Sequence, residues 1–134
     1  MNINVGIEGL KRGTNILEID VPKPLRFKKK TGITWFDDAL GGEGFTPSTS
    51  MMLTGGPGCG KTTMIMQLAD SITKAGHIAL LNTGEESLYQ MKLVAERLNL
   101  GNGFVCGQDI MVDDALEHLD ILREANPKKQ VFFL

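Results

Sequence analysis

The chain has 134 residues, 42% hydrophobic and 22% charged, with a formal net charge of −2 at pH 7. That length supports one ordinary domain with a real core but not two. The near-neutral balance excludes nucleic-acid binding by bulk charge alone, and no apolar run approaches the ~18 residues of a membrane-spanning helix.

The N-terminus lacks the basic start and apolar stretch of a secretion signal. Cys59 and Cys106 are the only cysteines and form no C-x-x-C pair. A zinc ribbon or disulfide scaffold is not expected, and a reducing, cytoplasmic setting fits. Residues 1–30 contain Gly6, Gly9, Gly13, Pro22 and Pro24, then the basic run Arg26-Phe27-Lys28-Lys29-Lys30. They read as an irregular or extended lead-in, with one possible short strand at Ile16-Leu17-Glu18-Ile19-Asp20-Val21. The basic run suits a solvated linker or a contact to phosphates.

From Thr31 the pattern is regular. Thr34 is expected to cap a short helix to about Leu40, ended by Gly41-Gly42. Met51-Met52-Leu53-Thr54 reads as a buried strand, followed by a Gly-rich turn. A helix over about 61–75 carries Met64, Ile65, Leu68, Ala69 and Ile72 at helical spacing, and Gly76 stops it. The nearly all-apolar run 77–82 reads as a parallel strand covered on both faces. A helix over about 87–98 follows, with Leu88, Met91, Ala95 and Leu98 on one stripe. Phe104-Val105-Cys106 is a brief strand. Asp113 is expected to cap a further helix, with Ala115, Leu116, Leu119 and Leu122 facing inward. Pro127 follows its end, and Gln130-Val131-Phe132-Phe133-Leu134 is strand-like. Strands alternating with helices of about three turns predict an α/β fold with a parallel sheet over residues 31–134.

Gly55-Gly56-Pro57-Gly58-Cys59-Gly60-Lys61-Thr62 matches G-x-x-x-x-G-K-[ST] without a gap. Glycines let the backbone turn tightly, so that its N–H groups point at phosphate oxygens. The following helix adds the positive end of its dipole. Lys61 supplies a full charge for the β- and γ-phosphates. The Thr62 hydroxyl suits Mg²⁺, which prefers oxygen ligands, and Thr63 suits the helix start or an α-phosphate contact. The expected ligands are therefore ATP and Mg²⁺. Cys59 occupies a loop position that tolerates many residue types.

A right-handed crossover would make strand 77–82 parallel to the one before the loop, so that both C-terminal ends open on one edge of the sheet. Thr83-Gly84-Glu85-Glu86-Ser87 lies there. A carboxylate at Glu85 or Glu86 can orient or deprotonate an attacking water near the γ-phosphate. Acids in a helix's first turn are an equally good reading of the same residues.

Thr31-Gly32-Ile33, Phe36-Asp37 and Leu40-Gly41-Gly42 resemble the T-G-[IF]-x-x-[LF]-D-x-x-L-G-G segment that opens RecA-superfamily ATPase cores. Proteins similar to bacterial RadA (also called Sms) and to KaiC carry it, and Thr83-Gly84-Glu85-Glu86-Ser87 resembles the S-G-E-E-S segment of the RadA type. The resemblance covers about 31–134. It implies a RecA-like parallel sheet flanked by helices, and assigns water activation to a glutamate on this segment, with Glu85 favoured. It also implies a homo-oligomeric ring or filament with ATP between subunits and, in the complete protein, single-stranded DNA as a partner. Arg97, on the exposed side of its helix, suits a neighbouring subunit or solvent. The cysteine-rich module that begins RadA proteins has no counterpart in residues 1–30, and their C-terminal protease-like domain none in this chain. In this superfamily the strand resembling 131–134 is followed by the Walker B aspartate, one residue past Leu134. The chain is therefore expected to be the N-terminal part of a larger core, with Phe132 and Phe133 as an exposed apolar liability.

Four functions fit this reading: a DNA-repair or recombination ATPase, a KaiC-like signalling ATPase, a small-molecule P-loop kinase, and a nucleotide-binding module that does not hydrolyse. Stimulation by single-stranded DNA separates the first from the second. A kinase would carry a lid with arginines and nothing like Glu85-Glu86, and binding without turnover marks the last.

Overall fold

The computed structural model describes residues 13–134. The part of the lead-in that falls on residues 1–12 lies outside the described residues. The Asn15 side chain accepts the Leu17 N–H and opens a 3-10 turn, Ile16–Glu18, followed by the one-turn helix α1, Lys23–Arg26. The strand expected across 16–21 is not formed. Ile16 and Leu17 are exposed, and a strand persists only where an edge pairs with it. Lys29 and Phe45 form an antiparallel bridge through two backbone hydrogen bonds, which seats the Phe45 ring against Phe36 and Phe132.

Helix α2, Thr34–Ala39, has Ile33 at its N-cap, so Thr34 is the first helical residue and not the cap. The work of the cap falls to a different pair. The buried Asp37 carboxylate accepts from the Thr31 N–H (2.9 Å), the Thr31 hydroxyl (2.8 Å) and the Gly32 N–H (3.1 Å). A side chain inside the helix thus ties down the chain that leads into it. At the other end Gly41 and Gly42 take positive φ, and the Gly42 N–H returns to the Asp37 carbonyl.

Helix α3 spans Lys61–Lys74 and ends where Gly76 adopts φ +88°. Strand β1, Ile78–Asn82, follows, then α4, Leu88–Arg97, β2, Val105–Gly107, α5, Val112–Ala125, and β3, Val131–Phe133. The sheet is parallel in the order β2-β1-β3, with Leu80 opposite Val105 on one side and Phe133 on the other. Ala79 and Leu81 point from one face of β1. Ala79 meets Leu68, Ala69 and Ile72 of α3, and Leu81 meets Met66 of α3 and Met91 of α4. Leu80 points from the opposite face and is fully buried, and α5 contacts both β1 and β3. Full burial of such a side chain stabilises by about 1.5–3 kcal/mol, so β1 and α3 anchor the domain.

Two details of the helices differ from expectation. Met111 holds the N-cap of α5, which places Asp113 inside its first turn. The inward stripe of that helix is Ala115, His118, Leu119 and Leu122, while Leu116 is exposed. His118, three residues after Ala115 on that stripe, meets the Asp109 carboxylate just past the end of β2.

The strand expected at 51–54 is absent. Met51, Met52 and Leu53 are exposed and carry no ladder. β3 pairs with β1 through Gln130, Phe132 and Leu134, so the backbone groups of Val131 and Phe133 face away from β1. A groove of about 620 Å³ lies there, lined by Met51, Met52 and Leu53 on one side and Val131, Phe133 and Leu134 on the other. The segment has apolar strand composition but no edge within pairing distance. Phe133 is exposed, as expected, while Phe132 packs between Phe45 and His77.

Candidate functional site: a phosphate-type loop facing two glutamates

The loop over 55–60 enters α3 through two left-handed residues, Gly58 (φ +72°) and Gly60 (φ +89°). Any side chain there would be strained, which is why glycine recurs at these positions. Pro57 and Gly58 form the turn, and the Cys59 N–H returns to the Gly56 carbonyl. The Lys61 ammonium folds back over the loop and donates to the carbonyls of Gly55 (2.8 Å) and Gly56 (3.0 Å). It also lies 3.9 Å from the Cys59 sulfur.

The start of α3 has no side-chain cap and no acid in its first turn. The first N–H groups of a helix need partners from outside it. Here Met64 N–H already bonds the Gly60 carbonyl, leaving the amides of Lys61, Thr62 and Thr63 at the helix mouth. The dipole and these donors together favour an anion.

Across from this mouth, β1 ends in a turn organised by Thr83. Its hydroxyl oxygen accepts from the N–H of Glu86 (3.1 Å) and of Glu85 (3.4 Å). The cap of α4 is a different residue. Ser87 accepts from the Gln90 N–H, and the Gln90 side chain accepts from the Ser87 N–H. Neither glutamate therefore sits in the first turn of α4, and the helix-start reading of these acids does not hold. Glu85 is exposed and Glu86 half-buried.

A cleft of about 150 Å³ joins the two halves, lined by Thr62, Asn82, Thr83, Glu85 and Glu86 over a floor of Ile65, Leu81 and Met91. Of the sequence-derived residues, Thr62 is thus brought to both glutamates. Lys61 and residues 55–60 lie on the loop and do not line this cleft. Arg97 is on an exposed face. Among the described residues no group of three or more His, Cys, Asp or Glu is arranged to hold a metal alone. A hydroxyl and two carboxylates suit Mg²⁺, which keeps water and phosphate oxygens as most of its ligands.

Asn82, Gln108, Asp109 and His118 escape the sequence reading. For Asn82, Gln108 and Asp109 the one signal is position, at or just beyond the C-terminal ends of β1 and β2, where open parallel sheets place ligands; His118, inside α5, has none. Burial raises the Cys106 thiol above its ordinary pKa, which favours its protonated form. Among the described residues no helix is long and apolar enough to cross a membrane.

The family model described as ATPase: KaiC matches residues 29–126. The DNA repair protein RadA of Rickettsia typhi is 41% identical over 96 residues, covering 72% of this chain and 21% of that protein. RadA of Rickettsia conorii is 39% identical over 118 residues, covering 88% and 25%, and RadA of Salmonella typhimurium 29% over 124 residues, covering 92% and 25%. The chain thus spans about a quarter of the length of these relatives. No solved structure matches. With the match extending over most of the residues that build the loop, the sheet and the cleft, the chain belongs to the KaiC-type ATPase family, within the RecA superfamily to which RadA-like cores also belong.

Proposed function

We propose that this chain binds Mg²⁺·ATP on the loop 55–62 and supplies the phosphate-binding half of an ATP-hydrolysing site. The observation that carries this is the uncapped, acid-free start of α3 opening on the cleft that holds Glu85 and Glu86. In this reading the amides of residues 58–63 cradle phosphate oxygens, and Lys61 exchanges its two carbonyl contacts for the β- and γ-phosphates. The Thr62 hydroxyl would hold Mg²⁺, and Thr63 supports the helix start. Mg²⁺, when bound, would supply neutralisation of phosphate charge. Glu85 orients the attacking water and Glu86 stands beside it. Gly55, Gly56, Pro57 and Cys59 shape the loop and require no side-chain chemistry of their own.

The biological reading is an ATP-driven DNA-repair or recombination factor that works as a homo-oligomer on single-stranded DNA in the cytoplasm. It is supported by the names of the relatives, each a DNA repair protein RadA. A KaiC-like signalling ATPase is a second reading, favoured by the description of the family match.

Calorimetry of Mg²⁺·ATP binding to this chain tests the first step. Turnover is measured beside it, for this chain and for one extended to the relatives' length, with and without single-stranded DNA. Glu85→Gln in the extended chain is expected to bind ATP as the parent does and to lose turnover by about 10²–10⁴-fold, the usual worth of a positioned general base. Normal hydrolysis by that variant would remove Glu85 from its role. Turnover that ignores DNA but changes assembly would favour the signalling reading.

A further inference from the structure

The parallel ladder between β1 and β2 ends at Asn82 and Gly107, where the Thr83 N–H reaches the Gly107 carbonyl (3.0 Å). Beyond that rung, side chains replace the backbone. The Asn82 amide donates to the Asp109 carbonyl (2.9 Å) and accepts from the Asp109 N–H (3.0 Å), imitating one more rung. The Gln108 amide donates to the Glu86 carbonyl (3.2 Å). The Asp109 carboxylate meets His118 Nδ1 of α5 at 3.2 Å. Gly107 makes the crossing possible, because a Cβ there would lie 2.6 Å from the Asn82 oxygen and 3.1 Å from the Asp109 carboxylate.

We propose that Asn82, Gln108, Asp109 and His118 are positioning residues that hold the turn 83–86, and so the Glu85 carboxylate, at the Thr62 end of the cleft. The inference rests on the nucleotide-site reading above. The connection is continuous. α5 fixes Asp109 through His118, Asp109 fixes the end of β1 through Asn82, and the same loop grips the far side of the turn through Gln108. Thr83 closes it by accepting the Glu85 and Glu86 amides. None of these contacts packs the core, whose buried residues lie on β1, α2, α3, α4 and α5. A polar relay from α5 through Asp109 to the last residue of β1, with Gln108 on the turn itself, makes sense where the direction of a carboxylate matters.

The test is amide hydrogen exchange by NMR on this chain, with Mg²⁺·ATP calorimetry in parallel. Losing one such hydrogen bond, worth about 1 kcal/mol, should speed exchange at Glu85 and Glu86 by roughly 5–10-fold. That rise is expected in Asn82→Asp, in His118→Phe and in Gln108→Ala, while Leu80 and Leu81 keep their protection. His118→Asn, which retains a nitrogen donor near Asp109, should restore the Glu85 and Glu86 rates. Gln108→Ala alters only an exposed side chain, so it keeps the test open if another variant unfolds. Unchanged exchange at Glu85 and Glu86 in Gln108→Ala and His118→Phe overturns the proposal. So does a rise spread evenly over β1, or a failure of His118→Asn to rescue. Absence of ATP binding by the parent chain refutes the nucleotide reading instead, since the exchange data decide the clamp without nucleotide.

Discussion

Lys61→Ala separates binding from folding more cleanly than any other change. In the free chain the Lys61 ammonium bonds two exposed carbonyls, Gly55 and Gly56, at 2.8 and 3.0 Å. Exposed charged contacts of this kind are worth about 1 kcal/mol or less, so the melting temperature should fall by no more than roughly 3–5 °C. On the ligand side, hydrogen bonds to charged groups contribute about 1.5–3 kcal/mol each, and two phosphates are within the reading. The gross loss of about 3–6 kcal/mol is reduced because the lysine gives up its two carbonyls to make it. The lower end, near 3 kcal/mol, corresponds to roughly 100-fold weaker binding. Calorimetry with Mg²⁺·ATP measures it directly, circular dichroism gives the melting temperature, and Lys128→Ala on the α5–β3 connection controls for bulk charge. Parental affinity in Lys61→Ala, or an equal loss in Lys128→Ala, would refute the assignment of the loop.

Asp37→Ala removes the acceptor of two amides and a hydroxyl at a buried site. At about 1–3 kcal/mol for each group left unsatisfied, it should destabilise by roughly 2–5 kcal/mol in urea unfolding, while Asp38→Ala on the same helix changes little. Gly107→Ala forces its Cβ against an Asn82 side chain already engaged with Asp109. A loss of about 1–3 kcal/mol is expected, with the Asn82–Asp109 pair disrupted. Burial, with Lys29 adding to it, holds the His77 pKa below its ordinary 6.5. The unfolded chain therefore binds more protons between the folded value and 6.5, so the contribution is complete above pH 6.5 and declines as pH falls through that window. Urea titrations from pH 5 to 8 should show a weaker decline in His77→Phe than in the parent, and identical slopes would remove His77 as the cause.

The fold was legible wherever a residue's own neighbours in sequence determine its state. Helices α3, α4 and α5 carry apolar residues at helical spacing, and Gly76 marks a stop that the chain obeys with a left-handed residue. β1 is apolar on both faces and was readable as a buried parallel strand. Failures cluster where a distant partner decides. Met51-Met52-Leu53-Thr54 has the composition of a strand, yet a strand needs an edge, and composition carries no record of whether one is adjacent. Thr34 and Asp113 are good capping residues one or two positions inside their helices, because the Asp37 carboxylate and the turn at Met111 set the boundaries.

The site divides along the same line. The loop 55–62 is a contiguous word, and local rules spell out both its glycines and its lysine. The approach of Thr62 to Glu85 and Glu86 follows from β1 packing along α3; the crossover expected to bring it about starts from a strand at 51–54 that is not formed. Asn82, Asp109 and His118 are separated by 27 and 9 residues and share no motif. His118 shows why they were missed. It stands three residues after the buried Ala115, on the stripe with Leu119 and Leu122, while Leu116 is turned about 100° away from Ala115, and only the carboxylate just past β2 shows what a histidine does there. A polar residue on an inward stripe needs a partner, and here that partner is the Asp109 carboxylate. Under the proposed clamp that contact leads on through Asn82 to the turn bearing Glu85, where, for a water-orienting carboxylate, small errors of direction would matter more than small losses of stability.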